Sequence, residues 1–129
     1  MTKYPIRVMI VDDHPLVREG IRSIVAGEEG FEIVAAFDVD PHRRREKQVA
    51  QPIEPMDQLP DFVREHKVKM AILTVPAAVA QEVTNLLAAC GITGILNFAP
   101  IVLHVPEEVM VNNVNLAIEL ENLSYFIQE

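Results

Sequence analysis

Short runs of β-branched and aliphatic residues alternate along this chain with segments of helical period, and that alternation restricts the fold more than any other feature. Ile6–Val11, Phe31–Phe37, Met70–Leu73 and Gly94–Asn97 are too short and too continuously apolar for anything but buried strands. Between them lie stretches whose apolar residues recur every three to four positions. Strand and helix in turn are the signature of βαβ units around a mainly parallel sheet with helices on both faces. The expected fold is therefore α/β, a three-layer Rossmann-like or flavodoxin-like domain.

The helices can be placed by their stripes and stop signals. Pro15 sits where a helix can start, and Val17, Ile21, Ile24 and Val25 form an apolar stripe that ends before Gly27 and Gly30. A second helix, about Asp57–His66, turns Leu59, Phe62 and Val63 inward and tolerates Pro60 because it lies in the first turn. Pro76 opens the clearest helix, with Val79, Val83, Leu86, Leu87 and Cys90 on one face and Gly91 as a left-handed stop. Residues 42–51 are polar and basic without a period and read as loop or weak helix. A short extended segment is expected near Pro52–Glu54, two more at about Ile101–Val105 and Val109–Val111, and then a last helix with Leu116, Leu120, Leu123 and Ile127 on one side.

Size and charge narrow the function. The 129 residues suit one domain, residues 1–129, and half of them are hydrophobic, enough to build a core without disulfides. The single cysteine permits no internal disulfide, no apolar run is long enough to span a bilayer, and residues 1–20 lack signal-peptide features. A cytoplasmic protein that does not engage a membrane is expected. A net charge of −8 opposes phosphate-driven binding, so no nucleic-acid partner is expected either. The four histidines are dispersed without zinc spacing, and no nucleophile–base pairing is discernible, so the chain is not read as an enzyme.

The segment IRVMIVDDHPLVREGIRSIVAGEEGFEIVA resembles the opening of a response-regulator receiver of the nitrate-response type; the match covers roughly residues 5–36, and about residues 1–30 are assigned to the receiver-like part. That resemblance implies that Asp12 and Asp13 help hold Mg²⁺, a hard cation that takes oxygen ligands. An acid pair capping a helix start, where the dipole favours it, is the competing reading. The receiver chemistry itself is missing: Ala71-Ile-Leu-Thr-Val-Pro76 places Thr74 where a receiver has its phosphoacceptor Asp, and Asn97-Phe-Ala-Pro100 stands in place of a Lys-Pro step.

From about residue 31 to 129 the chain is similar instead to Rex, the NADH-sensing bacterial repressor, through FEIVAAFDVDP, FVREHKVKMAILTVPAAVAQEV and GITGILNFAPIVLHVPEEVMVNNVNLAIELENLSYF. This resemblance implies a Rossmann-like domain in which Asp38 binds the adenosine ribose of NAD(H), while the loops starting at Thr74 and Asn97 line the nicotinamide side. Thr74 and Asn97 equally suit caps of the turns they begin, and Asp38 equally suits a solvated turn beside Asp40. Arg43, Arg44 and Arg45 lie where some Rossmann proteins bind an NADP phosphate, but a charge run of that kind is usually a solvated loop.

Two parts of Rex are not seen in the sequence. Its winged-helix DNA-binding domain has no counterpart, and the G-x-G-x-x-G fingerprint is replaced by Asp12-Asp-His-Pro-Leu-Val17. The fingerprint lets backbone N–H groups reach the pyrophosphate; two free carboxylates in its place would repel it, at roughly 3 kcal/mol for one pair about 5 Å apart. Two incompatible half-sites meeting in one cleft, with a junction within Gly27–Ala36, suggest an engineered hybrid, a folded scaffold with no evolved function. The alternatives are a module with weak residual NAD(H) or adenine-nucleotide binding, and a receiver-type phosphoacceptor. In Rex the last helix, matching Asn115–Phe126, docks on the partner subunit; here two outcomes stay open, that the helix folds back or that its stripe at Leu116, Leu120 and Leu123 drives a homodimer.

Overall fold

A computed structural model describes residues 5–13, 15–39, 53–54 and 56–114. Six strands form one sheet: β1 (Ile6–Asp12), β2 (Phe31–Asp38), β3 (Ile53–Glu54), β4 (Met70–Thr74), β5 (Gly94–Asn97) and β6 (Met110–Asn113). Their order is β3-β2-β1-β4-β5-β6 and each neighbouring pair is parallel. The chain moves outward from β1 to β3, then returns across the sheet to β4. That reversal puts a topological switch point between β1 and β4, where open α/β sheets leave a crevice at the carboxyl ends of their strands.

The three described α-helices are α1 (Pro15–Ala26), α2 (Leu59–His66), which follows a 3₁₀ turn at Met56–Gln58, and α3 (Ala77–Cys90). Their apolar faces divide the core in two. Val8 and Ile10 of β1 meet Ile21 of α1 and Ile72 of β4 on one face of the sheet. Met9 and Val11, pointing the other way by the two-residue strand period, pack with Phe37, Leu73, Leu59 and Val63 of α2, and Ala80, Val83 and Leu87 of α3. Both layers confirm the expected three-layer arrangement. Each fully buried aliphatic side chain contributes about 1.5–3 kcal/mol.

The helix ends follow the expected chemistry. Gly91 has φ +105° and donates its N–H to the carbonyls of Ala88 and Leu87, closing α3. Lys67 closes α2 in the same left-handed region, at φ 53°, with its N–H on the carbonyl of Val63. Pro60 lies in the first turn of α2.

Three readings change. Of the two extended pieces expected after residue 100, only the second is a strand, and it runs from Met110 to Asn113; Ile101–Val105 carries no strand pairing. Cys90 is only half-buried, and burial pushes its thiol above the usual value. In α1 only half of the expected stripe faces inward: Ile21 and Val25 pack in the core, but Val17 and Ile24 are exposed and Arg18 is wholly buried. The helix is rotated so that a cation, not Val17, faces the sheet. The basic stretch 42–51 and the last helix lie outside the described residues, and no described helix is long and apolar enough to cross a membrane.

Candidate functional site

The strand register brings the predicted polar residues to one edge. Asp12, the last residue of β1, is paired with Asp38 at the end of β2 on one side and with Thr74 at the end of β4 on the other. Asn97, ending β5, is paired with Leu73, one residue before Thr74. Four residues that the sequence spreads over 86 positions thus line up across four adjacent strands, at the carboxyl edge beside the switch point.

Arg18 joins this row from the first turns of α1. Its Nη1 donates to Asp12 Oδ1 at 2.5 Å and to Asp38 Oδ2 at 3.2 Å, and all three side chains are fully buried. Two carboxylates share one guanidinium nitrogen in a region water does not reach. Such a cluster holds together only through its pairing, because each buried ion has lost several kcal/mol of hydration. Asp12 shows the cost: burial lifts its carboxyl from 3.8 to about 6, outweighing the opposing attraction of Arg18, while Asp38 and Asp13 push in the same direction as burial.

The pairing leaves some atoms unmet. Asp12 Oδ2, Arg18 Nε and Nη2, and Thr74 Oγ1 are buried and have no hydrogen-bond partner. A bare buried donor or acceptor costs about 1–3 kcal/mol, so an arrangement with several marks a place where the fold has kept polar capacity in reserve.

Asn97 is different. Its Oδ1 accepts from the Ala99 N–H at 2.9 Å, and its Nδ2 donates to the Ala99 carbonyl at 3.3 Å, the Ile101 carbonyl at 3.2 Å and Asn113 Oδ1 at 3.0 Å. The amide pins the turn after β5 and ties it to β6, which is the capping use that the sequence allowed. Beyond Thr74, α3 has Pro76 as its N-cap, with no side-chain cap; the Val79 N–H donates to the Pro76 carbonyl at 3.1 Å.

The acid pair is split. Asp12 is not the exposed cap expected of it but the buried partner of Arg18, and Asp13 is half-buried at the start of the α1 crossover. No group of three or more His, Cys, Asp or Glu suited to a metal ion occurs among the described residues. His14, Asp40, His42 and Arg43 to Arg45 lie outside them. Arg18 is the functional residue that sequence reasoning missed. The signal was an i, i+3, i+4, i+7 face of Arg18, Ile21, Arg22 and Val25 opposite two strand-end acids, overlooked in favour of the more apolar stripe one position earlier.

An all-parallel sheet in this order, with an acidic residue ending β2 beside the crevice, defines the class: a Rossmann-like α/β domain. A family model described as the CoA binding domain matches residues 3–101, and the chain belongs to that family. Among curated proteins it is 45% identical over 101 residues to the redox-sensing transcriptional repressor Rex of Carboxydothermus hydrogenoformans, covering 78% of this chain and 49% of the relative. It is 47% identical over 96 residues to Rex of Anoxybacillus flavithermus, covering 74% of this chain and 44% of that one. The chain spans about half the length of these relatives.

Among solved structures, RSP, a Rex-family repressor, superposes with a TM-score of 0.84 at 27% identity, covering 96% of this chain and 59% of RSP. RSP in complex with beta-NADH gives 0.82 at 28%, covering 95% and 60%, and RSP with beta-NAD⁺ and operator DNA gives 0.82 at 27%, covering 96% and 57%.

These findings correct two expectations. The family match extends across residues 27–36, where the two resemblances overlap, and RSP covers nearly the whole chain, β1 and α1 included. The chain is therefore a natural member of a Rex-like lineage and not an engineered hybrid lacking a function; the opening βαβ unit is common to receiver and Rossmann folds and does not by itself mark a splice. The expected absence of a nucleic-acid partner is also overturned, since the relatives are transcriptional repressors and RSP is solved with operator DNA. Net charge describes this chain's own surface, and the relatives named as repressors are about twice its length.

Proposed function

We propose that the chain is the ligand-sensing Rossmann module of a redox-responsive transcriptional repressor and that its ligand is NAD(H), bound without turnover at the carboxyl edge of the sheet. The observation that carries this reading is the strand-end row of Asp38, Asp12 and Thr74 at the switch point, in a fold that superposes on a repressor solved with beta-NADH. In this reading Asp38 receives the adenosine ribose and Thr74 faces the nicotinamide side, while Asn97 shapes the crevice by holding its turn. Operator DNA belongs to the function through the repressor as a whole, in a cytoplasmic setting; an acidic domain of net charge −8 leaves backbone phosphate contacts to other parts of that protein.

Affinity should be weak. No glycine occurs between Asp12 and Glu19, so the chain lacks the residues with which a fingerprint turn brings its backbone close to pyrophosphate. The repulsion from the acid pair is smaller than two free carboxylates would produce, because Arg18 neutralises Asp12. Asp38 has to exchange part of its contact with Arg18 for the ribose hydroxyls, a further cost.

Isothermal titration of NADH tests the reading. Saturable binding between about 10 μM and 1 mM, loosened at least tenfold in Asp38→Ala, is the expected result. No heat up to millimolar NADH would remove the dinucleotide from the proposal.

A further inference from the structure

Arg18 has five N–H donors, and the structure uses one nitrogen for both of its partners. Nη1 holds Asp12 and Asp38. Nε and Nη2, which lie together on the opposite edge of the guanidinium plane, are buried and have no partner. That edge is the fork with which arginine binds carboxylate or phosphate through two parallel hydrogen bonds. Here it is prepositioned, since two carboxylates fix the plane from behind and the side chain is 0% exposed. An ordinary structural arginine turns its fork onto an acid; this one contacts its acids through a single nitrogen and leaves the fork bare.

The place of the fork suggests what fills it. Arg18 lies in the first turns of α1, directly after β1, where Rossmann folds bring phosphate to the helix N-terminus and its unpaired backbone N–H groups. In this chain residues 12–17 contain no glycine, so the backbone alone is a poor receptor there. We infer that Arg18 substitutes for the missing glycine turn: its Nε–Nη2 fork receives a phosphoryl oxyanion, the pyrophosphate of a dinucleotide, while Asp12 and Asp38 hold it in place. The inference rests on the dinucleotide reading for the identity of the larger ligand but commits by itself to the oxyanion.

A low-dielectric surrounding strengthens a charge-assisted bidentate contact. Lysine at the same position keeps the positive charge but has no planar fork, so it separates bidentate recognition from simple attraction. The test uses the full chain with inorganic pyrophosphate, without Mg²⁺, followed by ¹⁵N NMR of the assigned arginine Nε–H resonances and by isothermal titration. A saturable shift of the Arg18 Nε–H in the unaltered protein is expected, larger than that of Arg7 or Arg22, and Arg18→Lys should weaken pyrophosphate at least tenfold while retaining the same adenosine binding.

An unmoved Arg18 resonance overturns the inference, and so does a folded Arg18→Lys variant that binds pyrophosphate as tightly as the unaltered protein. The NMR readout needs no variant, so a failure of Arg18→Lys to fold leaves the test intact. NADH titrated in parallel separates the two readings. Pyrophosphate bound without NADH sustains the oxyanion site and removes the dinucleotide, whereas NADH bound equally by both proteins sustains the dinucleotide and removes the role of Arg18.

Discussion

The two halves of the sheet solve the same problem in different ways. In the β1–α1–β2 half, the strand ends carry two acids, and the helix supplies a buried arginine to neutralise them, leaving four polar atoms of Asp12, Arg18 and Thr74 at the meeting of the halves unmet. In the β4–α3–β5 half, Asn97 makes four hydrogen bonds and has nothing left over. Both halves are parallel strand pairs joined by a helix, so topology alone does not distinguish them. The difference lies in how polar capacity is spent: the first half keeps part of an ion cluster unmet, whereas in the second Asn97 is used by its turn and only the hydroxyls of Thr74 and Thr84 are left over among the described residues.

The largest expected effect comes from breaking the first half. Arg18→Leu leaves two buried carboxylates without their cation and should cost about 3–5 kcal/mol, read from urea unfolding. A loss under 1 kcal/mol would mean that the cluster is solvated and that the contrast between the halves is false. Asn97→Ala is the matching change in the second half. It abandons the Ala99 N–H and two carbonyls and should cost about 2–3 kcal/mol, with no more than a twofold change in NADH affinity. A large affinity loss there would return Asn97 to the binding site.

Acid titration sharpens the comparison. The Asp12 carboxyl is raised in the folded protein to about 6, from 3.8, so between these values the folded state holds more protons than the unfolded one. The contribution of Asp12 to stability therefore falls as pH rises from about 4 to about 6, by roughly 1–2 kcal/mol. Asp12→Asn should remove that slope, checked by urea midpoints at pH 4, 5 and 6 in both proteins; parallel profiles would refute it. The smallest effect is expected at Thr74. Thr74→Val removes a buried hydroxyl without a partner and should leave stability unchanged or raise it by up to about 1 kcal/mol, measured by thermal unfolding. If NADH affinity then falls more than threefold, that hydroxyl is held for the ligand.

What was legible in the sequence follows from periodicity. The strands around Ile10, Phe37, Leu73 and Leu96 are short apolar runs, the stop at Gly91 is a left-handed glycine, and Leu59, Val63, Val83 and Leu87 fall inward because a 3.6-residue period leaves them nowhere else to go. The site was legible as a set of strand-end residues but not as an arrangement. Asp38, Asp12, Thr74 and Asn97 each have two plausible uses in isolation, and choosing between them needs their neighbours. α1 shows the limit most clearly: its apolar moment favours Val17 inward, yet Val17 is exposed and Arg18 buried. Arg18 meets two acids that lie 26 positions apart in sequence, a pairing that no local period encodes.

By itself, then, the sequence determined the alternation of strands and helices, the parallel sheet they must build, and the kind of residue that ends each strand, because these depend on local spacing and on apolar burial. Tertiary structure alone decided that Arg18 would be the counter-ion of the crevice, that Asn97 would be consumed by its own turn, and that Asp12 would be buried. Those outcomes depend on which groups meet across the sheet edge and on the low dielectric in which they meet, and neither quantity is defined until the strands are in register.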